Sequence, residues 1–132
     1  MKVGITFGAF DLLHPGHLAM LEEASKKCDY LIVGLHVNPQ VERPEKNKPV
    51  ESVSERYLRL KGCKYVKEII PYETEDEFYE LLLILKPDIR FLGSDWNGKG
   101  FTGNLLPMEF YFVERHHNES SSNLRKRIID SK

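Results

Sequence analysis

The sequence predicts an α/β protein: one three-layer α/β/α domain over residues 1–132, built on a parallel sheet of five strands. Three observations point there. Apolar strand-like runs alternate with helical patterns along the chain, and strands that alternate with helices assemble into parallel sheets. The run from Tyr30 to Val37, YLIVGLHV, is almost unbroken in apolar character, as a strand covered on both faces must be. Two later helices open on cap signals, Ser52 with Glu55 and Thr74 with Glu77, each pair at the three-residue spacing of a capping box.

The elements follow in order. Residues 1–7 alternate and then run apolar, which reads as a first strand. Behind it Pro15-Gly16 opens a helix in which Leu18, Leu21 and Ala24 keep helical spacing, so the strand is expected to turn straight into the helix. Tyr30 to Val37 is the central strand. Residues 38–51 hold three prolines and no apolar period, and read as a loop that carries Lys46 and Lys48 away from that strand's carboxyl end. The helix after Ser52 has Arg56 in its first turns and closes at Gly62. Residues 65–71 form a third strand, residues 78–85 a third helix that Pro87 stops, and residues 89–93 a fourth strand. The fourth strand delivers Ser94-Asp95-Trp96-Asn97-Gly98-Lys99 to the sheet's rim. Gly98, Gly100 and Gly103 make the next stretch loop-like, residues 108–113 form the fifth strand, and Ser120-Ser121-Ser122 caps a last helix over residues 123–129. Right-handed crossovers then bring all these loops to the carboxyl ends of the strands, where open α/β sheets take their ligands.

Composition narrows the function classes. With 132 residues, 41% hydrophobic and 30% charged, the chain suits one soluble globular domain. No run approaches the roughly 20 apolar residues of a membrane span, and no secretory signal pattern precedes the first strand, so a cytoplasmic location is expected. Cys28 and Cys63 are too few for a disulfide framework or a CxxC site and are expected to be free packing thiols. A formal charge of −1 argues against general nucleic-acid binding, and the cluster Arg125-Lys126-Arg127 reads as helix surface. Neither an internal repeat nor a low-complexity tract is present.

The stretch Gly8-Ala9-Phe10-Asp11-Leu12-Leu13-His14-Pro15-Gly16-His17 organises the chain, because it joins the first strand to a helix start. Unpaired N–H groups and the positive end of the helix dipole attract anions there, and Pro15 forfeits only a donor that would be unpaired anyway. His14 and His17, three residues apart, are placed to lean toward one ligand, with Gly16 between them leaving room for close approach. By spacing alone the pair also suits a metal or an exposed polar surface. The decamer resembles the signature of the HxGH nucleotidyltransferases, in the cytidylyltransferase family that contains glycerol-3-phosphate cytidylyltransferase. There G-[TA]-F-D-L-L-H-x-G-H forms the triphosphate site. The resemblance extends over nearly the whole chain: Arg56 matches an arginine opening the second helix, Gly93 to Lys99 resembles G-D-D-W-E-G-K, and Arg115 with Ser120-Ser121-Ser122 resembles R-T-x-G-I-S-[ST]-[ST].

The resemblance implies a Rossmann-like nucleotidyltransferase fold and an enzyme that joins CMP from CTP to a small phosphorylated alcohol such as glycerol 3-phosphate, releasing pyrophosphate. The acceptor's phosphate oxygen attacks the α-phosphorus directly, so the protein supplies alignment and neutralises charge. The resemblance assigns His14 and His17 to the α- and β-phosphates, Lys46 or Lys48 to bridging nucleotide and acceptor, and Arg115 with the serines to the β- and γ-phosphates. Nucleotide contacts are implied for Thr6, Phe7, Gly8, Ala9, Phe10, Asp11, Gly16, Arg56, Gly93, Asp95, Trp96 and His116, together with Mg²⁺ carried mainly by the triphosphate and a homodimeric assembly. Asp11 has three readings: orienting a histidine, meeting the metal, or capping the turn. The lysines also suit a solvated basic loop, and Trp96 a core aromatic. Asp95 offers an acceptor for the amino group of cytosine, which favours CTP over UTP, while ATP is expected to fail on size. Ser94, and His116-His117 where small residues are usual, depart from the pattern and leave the acceptor open. Phosphoethanolamine and phosphocholine are alternative acceptors, an adenylyltransferase using ATP on a phosphorylated cofactor or sugar is the close rival, and a binding module without turnover is the alternative of another class.

Overall fold

In a computed structural model, which describes residues 1–41, 43–45 and 48–114, the strands make one parallel sheet. They are β1 (Val3–Gly8), β2 (Tyr30–His36), β3 (Glu68–Tyr72), β4 (Ile89–Gly93) and β5 (Glu109–Val113), in the order β3-β2-β1-β4-β5. The predicted α/β class and Rossmann-like sheet are therefore observed. The chain steps outward from β1 to β3 and then returns to place β4 on the other side of β1. The order reverses between β1 and β4, which makes their carboxyl ends the switch point where such sheets open a crevice.

Three α-helices accompany the sheet among the described residues: α1 (Pro15–Lys26), α2 (Val53–Lys61) and α3 (Glu75–Leu85). Side-chain alternation along β2 explains its continuous apolar sequence. Leu31, Val33 and Leu35 pack with Leu21 and Ala24 of α1 and Leu60 of α2, whereas Ile32 turns the other way to join Phe78 and Leu82 of α3. Both expected caps are present. The Ser52 hydroxyl accepts from the Glu55 N–H at 3.2 Å while the Glu55 carboxylate accepts from the Ser52 N–H at 2.9 Å, and the Thr74 hydroxyl accepts from the Glu77 N–H at 3.1 Å. The capping bonds hold the Glu55 carboxyl below its usual range.

Several sequence boundaries move, each for a local reason. β1 does not run straight into α1, because a 3₁₀ turn over Asp11–Leu13 intervenes. β3 starts at Glu68 rather than Tyr65, since a turn closes from the Val66 N–H to the Cys63 carbonyl and pairing begins only where the Lys67 N–H reaches the Leu31 carbonyl. Pro71 is tolerated in β3 because that strand pairs with β2 alone and needs no donor on its outer side. β4 and β5 are parallel neighbours, yet residues 94–108 join them with a 3₁₀ turn at Ser94–Trp96 and further turns instead of an α-helix. The serine-capped helix expected over residues 123–129 lies outside the described residues. Among those described, no helix is long and apolar enough to cross a membrane, and both cysteines are free.

Gly34 marks the tightest packing in the centre of the sheet. A Cβ built there would stand 2.2 Å from the Phe7 ring, which is itself locked against Phe78 with centroids 3.7 Å apart. Gly34→Ala is therefore expected to lower unfolding free energy by about 1–3 kcal/mol, the usual range for overpacking a core. Chemical denaturation measures this, and an unchanged midpoint would show that the Phe7 ring is free to retreat.

Candidate functional site

The site begins with backbone that L-residues resist. Phe10, Leu12 and Leu13 have φ of 51°, 62° and 24°, and left-handed non-glycine residues store on the order of 1–3 kcal/mol each. Two carboxylates and one guanidinium hold them. Asp11, only 3% exposed, accepts from the N–H groups of Val50 at 2.8 Å and Glu51 at 3.0 Å. Glu51 returns the exchange by accepting from the Leu12 N–H at 2.8 Å, and its other oxygen accepts from Arg59 Nε. Arg56 is 2% exposed and donates to the carbonyls of Ala9 (3.1 Å), His36 (2.6 Å), Val37 (2.6 Å) and Glu51 (3.3 Å). Burial lowers its pKa from the usual guanidinium value.

This scaffold sets the histidines. His14 is the N-cap of α1, its Nδ1 accepting from the His17 N–H at 3.3 Å. An accepting Nδ1 leaves the neutral ring's proton on Nε2, so His14 presents a donor on its far side. The two imidazoles stack at 3.7 Å and 21° rather than converging from separate directions. Pro15 has no N–H and that of His17 is capped, which makes Gly16 the open donor of the first turn. Above the switch point lies a cavity of about 840 Å³, with His17, Phe10 and Asp11 on one side, Gly93 and Trp96 on another, and Arg43, Tyr72, Glu75 and Arg90 beyond.

The structure brings much of the sequence's site together. Thr6, Phe7, Gly8, Ala9, Phe10, Asp11, His17, Gly93 and Trp96 all line the cavity. His14, Gly16, Lys48, Arg56 and Asp95 do not line it: Lys48 and Asp95 are exposed, and Arg56 is buried as a clamp on strand ends. Arg56 thus has a structural task, its donors meeting four backbone carbonyls. Lys46, Arg115, His116, Ser120, Ser121 and Ser122 lie outside the described residues. Asp11, left open between three readings, ties the turn to residues 50–51.

Sequence reasoning missed a group on the α3 side: His36, Arg43, Tyr72, Glu75, Arg90 and Thr102. His36 stacks on Tyr72 at 4.7 Å and 18°, and burial drives the Tyr72 hydroxyl well above the usual phenol range. The available signal was Arg90, a lone cation inside the apolar strand IRFLG.

Comparison with known proteins agrees with this geometry. The model of the cytidylyltransferase-like family matches residues 5–127. The chain belongs to that family. Its relatives include the bifunctional protein HldE of Wolinella succinogenes, 34% identical over 98% of this chain and 27% of that protein, and HldE of Campylobacter curvus, 36% identical over 98% and 28%. The chain thus spans a little over a quarter of the length of these curated relatives. Among solved structures, a lipopolysaccharide core biosynthesis protein of Thermoplasma volcanium matches with a TM-score of 0.69 and 26% identity, over 90% of this chain and 99% of that one. A pantothenate synthetase of Thermus thermophilus, at 17% identity and a TM-score of 0.67 over 94% of this chain and 61% of that one, shares the fold. The histidine motif of this cytidylyltransferase-like chain accordingly sits at the switch point of a nucleotidyltransferase fold.

Asp11→Ala would strand two backbone donors and release the left-handed turn. We expect it to lower stability by about 2–4 kcal/mol in urea, equally with and without Mg²⁺. A variant as stable as the parent would return Asp11 to a role at the ligand.

Proposed function

We propose that this chain transfers a nucleotidyl group from a nucleoside triphosphate, ATP in the reading best supported, to the phosphate of a phosphorylated sugar. An acceptor phosphate oxygen bonds to the α-phosphorus, the bond to the bridging oxygen breaks, and pyrophosphate leaves with the electron pair. No enzyme nucleophile is needed, because the acceptor is already an anion; the protein aligns it and neutralises charge. The observation that carries the reading is the histidine motif of the family on the wall of an 840 Å³ cavity at the β1/β4 switch point.

The sugar acceptor draws support from the likeness to the HldE proteins and to a lipopolysaccharide core biosynthesis protein, because such cores are built from activated sugars. Two features of the site weaken the case for cytosine and leave room for adenine. Asp95, the carboxylate that would select cytosine, is exposed and off the cavity wall. A volume of about 840 Å³ lies in the upper part of the range for small-molecule sites, so size excludes no base. Cytidylyl transfer to a phosphorylated alcohol is the second reading, favoured by the family's description and the decamer.

In either reading His17 contacts the reacting phosphates and His14 supports it through the stacked pair, with Lys46 or Lys48 bridging the substrates and Arg115 with the serines holding the distal phosphates. Among the described residues, no three His, Cys, Asp or Glu side chains come together as metal ligands, and both Asp11 oxygens already accept backbone bonds. These residues do not fit as a protein-held metal site. Mg²⁺, where present, takes phosphate and water oxygens, and none of the roles above depends on it.

His17→Ala is expected to reduce kcat about a hundredfold or more with the fold intact, as when one donor to a developing charge is removed. Turnover at the parent rate would remove His17 from the chemistry. Pyrophosphate release with each of the four nucleoside triphosphates, against sugar phosphates and glycerol 3-phosphate, decides the substrates. ATP with a sugar phosphate is the expected pair, CTP with glycerol 3-phosphate would select the second reading, and no release with any pair would favour a binding module.

A further inference from the structure

Arg90 lies in β4, which is paired on both sides by β1 and β5, and it is 6% exposed. A guanidinium in such a place carries a heavy desolvation cost unless its donors are met. They are not. The Phe78 ring stands 4.6 Å from its carbon, Phe101 5.2 Å and Phe7 5.5 Å, contacts that hold the plane but accept no hydrogen bond in the ordinary sense. Its hydrogen bond among the described residues runs from Nη1 to the Thr102 carbonyl, and Nε is buried with no hydrogen-bond partner among them. Burial pushes its pKa down to about 10, so the group stays a cation at neutral pH.

The neighbouring charges leave an excess of one sign. Glu75 faces the same cavity, but its oxygens already meet Arg43 at 3.5 Å and the Thr102 hydroxyl at 2.8 Å. At this end of the cavity, among the described residues, the guanidinium groups of Arg43 and Arg90 face the one carboxylate of Glu75, while Asp11 lies on the histidine side. Arg90 also sits apart from the histidines. It packs on α3, whereas its neighbour Phe91 packs with α1, and it precedes the rim residue Gly93 by three positions, roughly 10 Å of strand.

We propose that the Arg90 end of the cavity is an oxyanion subsite, filled by a second anionic group of the acceptor, a phosphate or a carboxylate, remote from the phosphate that reacts. Calling the occupant an acceptor rests on the nucleotidyltransferase reading; the binding does not. An oxyanion here gains charge-assisted hydrogen bonds from donors that the protein leaves open, in surroundings where such bonds are strongest. The substrate class that follows is a sugar bisphosphate or a phosphorylated sugar acid.

Calorimetric titration of the whole chain without nucleotide tests this, using a sugar monophosphate, the matching bisphosphate and the matching phosphorylated sugar acid. The parent is expected to bind one of the dianionic-ended sugars at least about tenfold more tightly than the monophosphate, and Arg90→Met to lose that difference while still binding nucleoside triphosphate. Preference for the bisphosphate identifies a phosphate as occupant, and preference for the sugar acid a carboxylate. Equal affinities in the parent, or a folded Arg90→Met that keeps the difference, overturn the proposal. Should Arg90→Met fail to fold, the ¹⁵N resonance of Arg90 Nε–H in the parent decides: it must move on adding inorganic phosphate, and a resonance unmoved at saturation overturns the subsite. Discrimination by Arg90 without pyrophosphate release from any triphosphate would keep the subsite and remove the nucleotidyltransferase reading instead.

Discussion

Two carboxylates, each accepting from backbone N–H groups of the other's segment, hold this molecule's working end together. Asp11 takes the N–H groups at 50 and 51, and Glu51 takes the N–H at 12, so two segments some forty residues apart are locked in one register. That exchange offsets much of the cost of three left-handed residues in the turn that leads to His14. Arg56 extends the lock. A buried guanidinium would be a liability here, but four carbonyls at the ends of β1 and β2 and at Glu51 satisfy it, and it in turn neutralises the partial negative charge of those strand ends. The rim of the sheet becomes rigid through polar bonds rather than through apolar packing, which the open cavity denies it.

That arrangement also separates the two faces of the site. On the α1 side, stacked imidazoles stand at a helix start; on the α3 side, aromatic rings enclose the Arg90 guanidinium. Alignment by rigid elements is what a reaction between two anions requires, since their repulsion must be offset before any bond forms. In the proposed reaction the walls of one cavity would divide that task, and their chemistry differs because successive residues of one strand point to opposite faces.

How far the sequence revealed this depends on range. The sheet was legible because β2 is apolar on both faces, and the helix starts because Ser52 and Thr74 bond to residues three positions on. Those are local signals. The 3₁₀ turn was not legible, because nothing in Phe10, Leu12 or Leu13 favours positive φ; the conformation is imposed by Glu51, thirty-nine residues away. Arg56 was assigned to the nucleotide by resemblance, and its bonds to four carbonyls were not legible for the same reason: those carbonyls meet it only once the chain is folded around it. Arg90 carried a signal of the opposite kind, a charge where the pattern demands an apolar residue, and that conflict between levels is what a functional position tends to leave in a sequence. The C-terminal motif stands outside the described residues, and its reading rests on the capping pattern of Ser120-Ser121-Ser122 and on resemblance.

The connection between β4 and β5 has a wider consequence. Where parallel neighbours are ordinarily bridged by a helix that must pack on the sheet, here turns over residues 94–108 suffice, and Phe101 and Thr102 of that segment complete the surroundings of Arg90. The far part of that segment is bound to the layers beneath, with Leu106 and Met108 on the α3-side core and Gly103 against Leu82, whereas residues 97–100 are exposed. Length and composition are therefore cheapest to vary in that exposed stretch, and a change there would reshape the mouth of the cavity while the strands and the histidine turn keep their places.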